Sequence, residues 1–457
     1  MPDFANMRLS ELVRPEGHPC ACGRRHTCAL KYLNIGRDIL PEVPAMVAAM
    51  GKHRPFVVCD DNTWRAAGQR VDAILTDAGV AHTVYVVPPQ GERVTPSEQA
   101  VGSIIMHFDQ SCDMFLAVGS GVINDLCKVC AFATGRPTAV VGTAPSMDGY
   151  ASDSGSMERD GVKVSMYVRG PEGILLDSAC MAQAPMRMLQ AGLGDMVAKY
   201  IAICEWRISH LVTGEYYCED VAELMRASLR RIMAASGGIA RRDLDAIASV
   251  AEGLVLAGIG MAFAGVSRPA SGMEHYFSHM WEMMALERGE LCDLHGIQVG
   301  VGTVLCMRIY RKLRQVVPDR ARAEAHMRAF SADKWEAQVR RLFGRTAGQI
   351  IAMEKAQRKN DPARHAERLE RIIGHWDDIL AIIREELPDE RQLTEAMAAT
   401  GMPMTPAALG LSEDEVVDAF LGARDIRDKY LCGSLIWDLG LEDAFADELR
   451  GALRGGL

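Results

Sequence analysis

The stretch MFLAVGSGVINDLCKVCAF, residues 114–132, decides the fold. It opens with a continuous apolar run that predicts a buried strand over Met114 to Val118. Apolar residues then recur at three- and four-residue spacing, which predicts a helix. Gly119 and Gly121 lie between the two in the pattern GSGxxND, without the third glycine of the usual dinucleotide fingerprint. Such a turn lets backbone N–H groups face a pyrophosphate. The stretch predicts a dinucleotide-binding βα unit, and a purely structural turn is the alternative.

The same βα rhythm runs from about residue 40 to 180. Short apolar, β-branched runs alternate with amphipathic segments that have the spacing of crossover helices. The predicted strands are Pro55 to Cys59, Thr83 to Val87, Met114 to Val118, Thr138 to Val141, Val164 to Val168 and Gly173 to Leu176. This alternation predicts an α/β domain built on a parallel sheet.

From about residue 181 the strand signals stop, and Ala-, Met-, Leu-, Arg- and Glu-rich segments extend to the C-terminus. This half is predicted to be helical, and its interspersed opposite charges are typical of solvated helix faces. We therefore predict a leader with a Cys/His cluster over 1–30, a nucleotide-binding α/β domain over 31–180, and a helical metal- and substrate-binding domain over 181–457.

The amino-acid composition and net charge indicate which kinds of partner and compartment to expect. The chain has 457 residues, of which 49% are hydrophobic and 24% charged, and its net charge is −10. We find no apolar run near the roughly 18 to 20 residues of a membrane span, so no membrane span is expected. The acidic balance argues against nucleic acid as a partner. Most of the thirteen cysteines lie in apolar runs, as reduced core thiols do, so we expect a cytoplasmic protein acting on a small molecule.

Further candidate nucleotide contacts lie after the predicted strands. Asp60 ends one strand, where a carboxylate can accept hydrogen bonds from an adenosine ribose. Asn124 and Asp125 lie in the first turns of the helix after Gly121. The loop GTAPSMDGYASDSGS, residues 142–156, is small and hydroxyl-rich, which suits close approach to a nucleotide or phosphate, although a plain surface loop has the same composition.

A metal signal lies in the helical half. Asp195 follows a glycine-bearing turn, His275 and His279 share one helical face, and His295 precedes another glycine-spaced helix. One carboxylate and up to three imidazoles suit a borderline divalent ion such as zinc, nickel or iron. Packing or surface roles for these histidines are the alternative.

A second cluster competes with it. The segment HPCACGRRHTC contains Cys20, Cys22, His26 and Cys28, whose side chains suit structural zinc. Four ligands within nine residues are tightly spaced for a tetrahedral site, because known fingers draw two pairs from separate segments. We leave this cluster unassigned.

Six motifs in order resemble the family of iron-type alcohol dehydrogenases, glycerol dehydrogenases and dehydroquinate synthases, and within it the glycerol-1-phosphate branch. The motifs are VCDDNT at 58–63, GSGVINDLCK at 119–128, TAPSMDGYAS at 143–152, GLGDMVAK at 192–199, ASGMEHYFSH at 270–279 and HGIQVGVGT at 295–303. The resemblance covers about residues 30 to 440. It implies a Rossmann-like nucleotide domain followed by an all-α domain, with the active site in the cleft between them.

The resemblance also implies roles for individual residues. The metal ligands are implied to be Asp195, His275 and His295. The residues implied to contact substrate and act in catalysis are Asp148, Asp195 and His279. Those implied to line the nucleotide are Gly119, Gly121, Asp125, Thr143, Ser146 and Ser152, to which the residue pattern adds Asp60 and Asn124.

The implied reaction is the reversible NAD(P)H-linked reduction of dihydroxyacetone phosphate, a phosphorylated triose, to sn-glycerol 1-phosphate. One divalent metal, zinc, nickel or iron, would polarise the carbonyl. His279, Lys199, Arg187 and the hydroxyls of the 143–156 loop are candidate phosphate donors. Asp60 favours NAD over NADP, since it would repel a 2′-phosphate. A homodimer or higher homo-oligomer is expected.

Two other activities fit the same scaffold. A dehydroquinate-synthase-like lyase would favour glutamate in place of Asp195 and several basic residues around the site, which the sequence does not show. A glycerol dehydrogenase would act on an unphosphorylated polyol, but the TAPSMDG loop and the EHxxSH pair favour the phosphate branch.

Overall fold

The computed structural model describes residues 3–160 and 162–455. The chain divides into two compact units. The first unit comprises Met1–Met196, Cys218–Ala270 and Ala399–Met402, and the second comprises Val197–Tyr217, Ser271–Ala398 and Pro403–Leu457. Each unit is therefore assembled from separated parts of the chain.

All strands of the described residues belong to the first unit. They are β1 His18–Pro19, β2 Arg25–His26, β3 Tyr32–Gly36, β4 Pro55–Asp60, β5 Thr83–Val87, β6 Met114–Gly119, β7 Thr138–Gly142, β8 Ser154–Arg159, β9 Val162–Tyr167 and β10 Gly173–Asp177. Six of them form one parallel sheet in the order β3-β10-β7-β6-β4-β5. The pairs β1-β2 and β8-β9 are separate antiparallel hairpins.

The order of the sheet reverses between β4 and β6. From β4 the chain moves outward to β5, then crosses back to β6 and continues through β7 to β10. In open parallel sheets a ligand binds beyond the carboxyl ends of the strands at such a reversal. Asp60 ends β4 and Gly119 ends β6, so the first unit places both residues at this point.

The four central strands, β10, β7, β6 and β4, are buried because they are apolar at successive positions, as in sheets covered on both faces. Leu116 and Val118 of β6, Val141 of β7 and Leu175 of β10 pack into one cluster with side chains of the flanking helices. This core holds the carboxyl ends of the strands in fixed register.

The helices follow in chain order. They are α1 Leu9–Leu12, α2 Val43–Ala49, α3 Asp61–Thr63, α4 Gln69–Asp77, α5 Glu98–His107, α6 Gly121–Thr134, α7 Ser178–Met181, α8 Met186–Val197, α9 Lys199–Thr213, α10 Glu219–Ala235 and α11 Leu244–Ala264. The remaining helices are α12 Met273–Arg288, α13 His295–Leu313, α14 Arg320–Ala329, α15 Ala332–Phe343, α16 Ala347–Gln357, α17 Pro362–Gly374, α18 Trp376–Glu386, α19 Glu390–Ala398, α20 Glu413–Ala423, α21 Cys432–Asp438 and α22 Glu442–Arg454. Short 3-10 segments and one π-helical segment, Trp64–Gly68, complete the regular structure.

The structure confirms the α/β and all-α halves and corrects some details. The predicted strand Val164 to Val168 is β9, but it forms the β8-β9 hairpin instead of joining the parallel sheet. The edge strand β3 has no counterpart among the predicted strands. The predicted domain boundaries stay a prediction, and the compact units divide the chain differently, with the leader and helices α10 and α11 in the first unit.

Helix α11 corrects the expectation that no apolar run reaches membrane length. Leu244–Ala264 has a mean hydropathy of 1.8 over its most apolar window, long and apolar enough to cross a membrane, yet 72% of that window is buried inside the protein. Asp245 and Glu252 lie within this helix. It is a core helix of the first unit, and its apolarity reflects contacts on all sides.

Candidate active site

Asp60 is held at the end of β4 by reciprocal hydrogen bonds. Its Oδ1 accepts from the Thr63 N–H at 2.8 Å, and its own N–H donates to Thr63 Oγ1 at 2.9 Å. This capping arrangement begins the helix that follows and fixes the carboxylate at the strand end. Asp60 thus lies where an adenosine ribose is expected, and its contact with a nucleotide stays a prediction.

The turn between β6 and α6 is crowded at both of its glycine positions. A Cβ on Gly119 would lie 2.7 Å from Ile123 Cβ, and one on Gly121 would lie 3.2 Å from Met147 Cγ. Neither glycine has a positive φ, so close approach explains both residues. The N-terminus of the 14-residue helix α6 follows directly, and its N–H groups suit an anion such as a pyrophosphate.

The loop after β7 packs against this turn through hydroxyl groups. Ser120 Oγ and Ser146 Oγ are 2.6 Å apart, and the buried Tyr150 hydroxyl donates to the Ala144 carbonyl at 2.6 Å. Thr143 N–H donates to the Gly119 carbonyl at 3.1 Å. Burial raises the pKa of the Tyr150 phenol well above its ordinary value, so it stays a neutral donor. The predicted contacts Thr143 and Ser146 therefore lie beside the glycine turn.

A fully buried lysine organises the far end of the loop. Lys128 Nζ donates to the carbonyls of Gly149 at 3.0 Å and Ser154 at 2.5 Å. It forms an ion pair with Asp125 at 2.9 Å. Asn124 Nδ2 also donates to the Gly149 carbonyl, at 3.2 Å. These side chains of α6 determine the path of the loop.

Three predicted nucleotide contacts thus have structural partners within the protein. Asp125 Oδ2 accepts from the Ser156 N–H at 2.9 Å, and Ser152 Oγ donates to the Gly149 carbonyl at 3.1 Å. Together with Asn124, these side chains support the loop. Their direct contact with a nucleotide stays a prediction.

Asp195 lies in the first unit on α8, which approaches the same loop closely. A Cβ on Gly192 would lie 1.9 Å from the Pro145 carbonyl oxygen, so only glycine permits this packing. Asp195 is fully buried, and its Oδ2 accepts from the Asp148 N–H at 2.8 Å. The first unit therefore brings together Asp148 and Asp195, two residues predicted to contact substrate.

His275 lies near the start of α12 in the second unit. Its Nδ1 is 2.8 Å from Glu274 Oε1, and both residues are buried. An ionised carboxylate can only accept, so Nδ1 carries the proton and the ring's lone pair lies on Nε2. A histidine in this state can ligate a metal while the carboxylate orients the ring.

His295 begins α13, and His279 lies one turn after His275. Glu282 is 3.3 Å from His295 Nδ1 and 3.2 Å from His279 Nδ1, through its two oxygens. The ring centroid of His295 lies 5.2 Å from that of His275 and 5.5 Å from that of His279. The second unit therefore brings all three predicted histidines together, and His279, Glu282 and His295 offer ligand atoms within 4.8 Å of one another.

The start of α12 is anchored by the buried carboxylate of Glu205. It accepts from the N–H groups of Met273 at 2.9 Å and Cys432 at 3.0 Å, and from the Tyr310 hydroxyl at 3.3 Å. Burial, the largest cause, raises the pKa of Tyr310 well above its ordinary value, which keeps this donor protonated. The backbone before His275 is thus held by the Glu205 side chain, which Cys432 and Tyr310 in turn hold in place.

The sequence reasoning missed Glu274, Glu282 and Glu205. Glu274 and Glu282 stand one residue before His275 and three after His279, in EHYFSHMWE. On a helix, i and i+3 side chains are neighbours, so the Glu282 partnership was available as a signal. Glu205 is distant in sequence from the three histidines, and no sequence signal indicated its role.

The structure changes one member of the predicted Cys/His cluster. Cys20, Cys22 and His26 come together in the first unit, but their fourth neighbour is Cys218, and Cys28 does not belong to the group.

Comparisons with known proteins agree with this architecture. Residues 34–185 match the family model described as iron-containing alcohol dehydrogenase. A glycerol-1-phosphate dehydrogenase (NAD(P)+) from Bacillus licheniformis is 30% identical over 424 residues, 92% of each chain. The chain belongs to the glycerol-1-phosphate dehydrogenase family. Another member, from Halalkalibacterium halodurans, is 33% identical over 294 residues, 64% of this chain and 74% of that protein.

Solved structures of less similar proteins share the fold. Glycerol dehydrogenase from Schizosaccharomyces pombe matches with a TM-score of 0.60 at 15% identity, covering 95% of this chain and 93% of that one. Maleylacetate reductase from Agrobacterium tumefaciens also gives 0.60 at 15% identity, over 94% and 98% of the two chains. These likenesses concern the fold alone.

Proposed function

We propose that this chain catalyses the reversible NAD(P)H-linked reduction of dihydroxyacetone phosphate to sn-glycerol 1-phosphate. Membership of the glycerol-1-phosphate dehydrogenase family supports this activity. The observation that carries it in the structure is the set of three histidines whose Nδ1 atoms face buried carboxylates. Such histidines are prepared to hold or surround a catalytic metal.

Asp195, His275 and His295 are the proposed ligands of one divalent metal. The donor set fits zinc, nickel or iron, since two imidazoles and one carboxylate match their preferences. When bound, the ion supplies Lewis acidity to the substrate carbonyl. In this assignment Glu274 and Glu282 orient the two imidazoles, and three protein ligands leave a coordination position for substrate.

The nucleotide is proposed to bind where the sheet order reverses. The glycine turn at Gly119 and Gly121 and the N-terminus of α6 would receive the pyrophosphate, and Asp60 would accept from the ribose hydroxyls. The nicotinamide supplies the hydride. A carboxylate at Asp60 disfavours a 2′-phosphate, so we propose a preference for NAD over NADP.

The reduced substrate needs a proton, and His279 and Asp148 are the two residues considered for the reacting end of the substrate. His279 has Nδ1 on Glu282, so its ring can hold and release a proton while the carboxylate stabilises the charged form. Asp148 has its backbone N–H on Asp195, which places it beside a proposed metal ligand. The histidine is the proposed donor, and Asp148 is the proposed contact to a substrate hydroxyl.

The phosphate end of the substrate is proposed to contact His279, Lys199, Arg187 and hydroxyls of the 143–156 loop. Lys199 is fully buried, and a buried cation gains more from a bound phosphate than an exposed one. We further propose a cytoplasmic enzyme of phospholipid metabolism that works as a homodimer or higher homo-oligomer.

The decisive experiment incubates purified, metal-analysed protein with dihydroxyacetone phosphate and NADH and follows nicotinamide absorbance. We expect NADH oxidation and a product with the sn-glycerol 1-phosphate configuration by chiral analysis. Glycerol with NAD⁺ serves as the control for the unphosphorylated-polyol activity. Absence of NADH oxidation with zinc, nickel and iron each supplied, or a faster reaction with glycerol, would overturn the proposal.

A further inference from the structure

The first unit contains a second group of metal-ligand side chains that the proposed dehydrogenase reaction does not use. Cys20, Cys22, His26 and Cys218 each offer one ligand atom, and the four atoms lie within 4.8 Å of one another. Cys20 and Cys22 lie in the turn of the hairpin formed by β1 and β2, and His26 ends that hairpin. Cys218 is 192 residues from His26, so the group joins two distant segments.

The distances within the group match the edges of a tetrahedral zinc site. Zn–S bonds of about 2.3 Å and Zn–N bonds of about 2.05 Å place two sulfurs about 3.8 Å apart and sulfur and nitrogen about 3.6 Å apart. In the structure Cys20 Sγ and Cys218 Sγ are 3.6 Å apart. His26 Nε2 is 3.4 Å from Cys22 Sγ and 3.5 Å from Cys218 Sγ. A disulfide would require sulfurs about 2.05 Å apart, and all four cysteines of this region, Cys28 included, are free thiols.

The protonation state of His26 also suits a metal. His26 is fully buried, and its Nδ1 lies 2.7 Å from the Phe263 carbonyl oxygen. A carbonyl oxygen only accepts, so Nδ1 carries the proton. In the neutral ring the lone pair is then on Nε2, the atom that faces the two sulfurs. This backbone contact therefore orients the imidazole as a ligand.

The local backbone fixes the positions of the sulfurs. Cys22 N–H approaches Cys20 Sγ at 3.5 Å within a turn closed by the Gly23 N–H on the Cys20 carbonyl at 3.1 Å. Gly23 has a φ of +83°, which this turn requires and a side chain disfavours. Cys218 is the N-cap residue of the 17-residue helix α10, where the helix dipole favours a negatively charged sulfur.

We propose that Cys20, Cys22, His26 and Cys218 bind a structural zinc ion that fastens the N-terminal hairpin to the start of α10. Four protein ligands leave no position for substrate, which distinguishes this site from the proposed catalytic metal. Three thiols lose their protons on binding, and His26 binds as the neutral ring. Asp220, whose Oδ2 lies 3.0 Å from Cys20 Sγ, is an outer carboxylate beside the site. The proposal uses residues of the first unit only and is independent of the proposed reaction.

The test measures metal content of the full-length protein. Elemental analysis and native mass spectrometry are applied to the wild type, to Cys218→Ser, to His26→Ala and to the matched control Cys28→Ser. We expect Cys218→Ser and His26→Ala to carry one zinc per chain fewer than the wild type, and Cys28→Ser to carry the full amount. His275→Ala, which removes a ligand of the other site, is expected to retain the hairpin zinc.

A titration of the metal-depleted wild type with cobalt(II) guards against variants that fail to fold. Binding at this site should produce the charge-transfer absorption of thiolate-bound cobalt and protect three thiols from alkylation. Zinc should displace the cobalt and abolish the absorption. Absence of this absorption, equal zinc content in Cys218→Ser and wild type, or a Cys20–Cys218 disulfide in the purified protein would overturn the proposal.

Discussion

His275 and His26 are both buried histidines, and each donates a hydrogen bond from Nδ1, but the acceptors differ. His275 donates to the carboxylate of Glu274, whereas His26 donates to the backbone carbonyl of Phe263. A carboxylate raises the basicity of the ring and stabilises positive charge on it, while a carbonyl orients the ring without adding a charge. The first environment suits a metal whose ligands change during turnover, and the second suits a permanent one.

The number and type of neighbouring ligand side chains also distinguish His26 from His275. His26 is surrounded by three sulfurs, which complete a four-ligand set within one unit. His275 has His295 and His279 as neighbours with Glu282 between the latter two. In the two proposed metal sites, the partner of Nδ1 and the number of donors differ, whereas a buried histidine is common to both.

The largest effect is expected from removing a proposed catalytic ligand. His295→Ala should lose the catalytic metal and reduce kcat/KM by about 10³-fold or more, because a Lewis acid supplies several kcal/mol of transition-state stabilisation. Metal analysis, initial rates and an NADH fluorescence titration measure the result, and NADH affinity should stay unchanged. His375→Ala, at an exposed histidine of the same unit, is the control. A His295→Ala protein with full metal content and full rate contradicts the ligand assignment.

A smaller effect is expected from the carboxylates behind the histidines. Glu274→Gln keeps the shape of the side chain but removes its charge, so metal affinity should fall about 10- to 100-fold. Competition with a chelator measures the affinity, and excess metal should restore most of the rate. Glu385→Gln, on an exposed side chain, is the control. If excess metal leaves the rate of Glu274→Gln low, Glu274 does not act through metal binding.

Lys128→Met should affect the nucleotide rather than the metal. The variant removes the hydrogen bonds of Lys128 to the carbonyls of Gly149 and Ser154 and its ion pair with Asp125, at a cost of about 1–3 kcal/mol. Since this loop adjoins the glycine turn, we expect KM for NADH to rise about tenfold, with unchanged metal content. Lys334→Met, at an exposed lysine, is the control. An unaltered KM for NADH would separate the loop from nucleotide binding.

Cys218→Ser should have the smallest effect on turnover and a clear effect on stability. Loss of the hairpin metal is expected to lower the melting temperature by several degrees, since about 1 kcal/mol corresponds to roughly 2–4 °C for a domain of this size. Calorimetry with and without a chelator measures this shift. Cys28→Ser should melt as the wild type does. A chelator that lowers the melting temperature of Cys218→Ser as much as that of the wild type contradicts the assignment.

Local patterns predicted most of the fold and the segments that carry the candidate site residues. The strands that end at Asp60 and Gly119, the helical second half and the histidines of α12 and α13 are all visible as short periodic or glycine-bearing motifs. The role of Glu282 required knowing that its helix face turns toward His295. Periodicity reports burial along one segment and says nothing about which other segment supplies the partner.

The sequence did not predict which residues contact each other across long stretches of the chain. Cys218 joins a cluster 192 residues away, and nothing near Cys218 signals it. The sequence of β9 has the same strand pattern as the strands of the parallel sheet, although β9 pairs with β8 in a hairpin. Alternation of apolar and polar residues does not specify the pairing partner of a strand. Each compact unit is likewise assembled from separated segments through tertiary contacts. A single boundary at residue 180 cannot describe such an arrangement.

Helix α11 packs against both the loop of residues 142–156 and the N-terminal hairpin. A Cβ on Gly258 would lie 3.0 Å from the backbone nitrogen of Ala151, within the loop held by Lys128. Five residues later, about 7.5 Å along the helix axis, the Phe263 carbonyl accepts from His26. One short length of helix thus packs against both the loop of residues 142–156 and the group formed by Cys20, Cys22, His26 and Cys218, so protein engineers who exchange the N-terminal hairpin should expect the position of that loop to change with it.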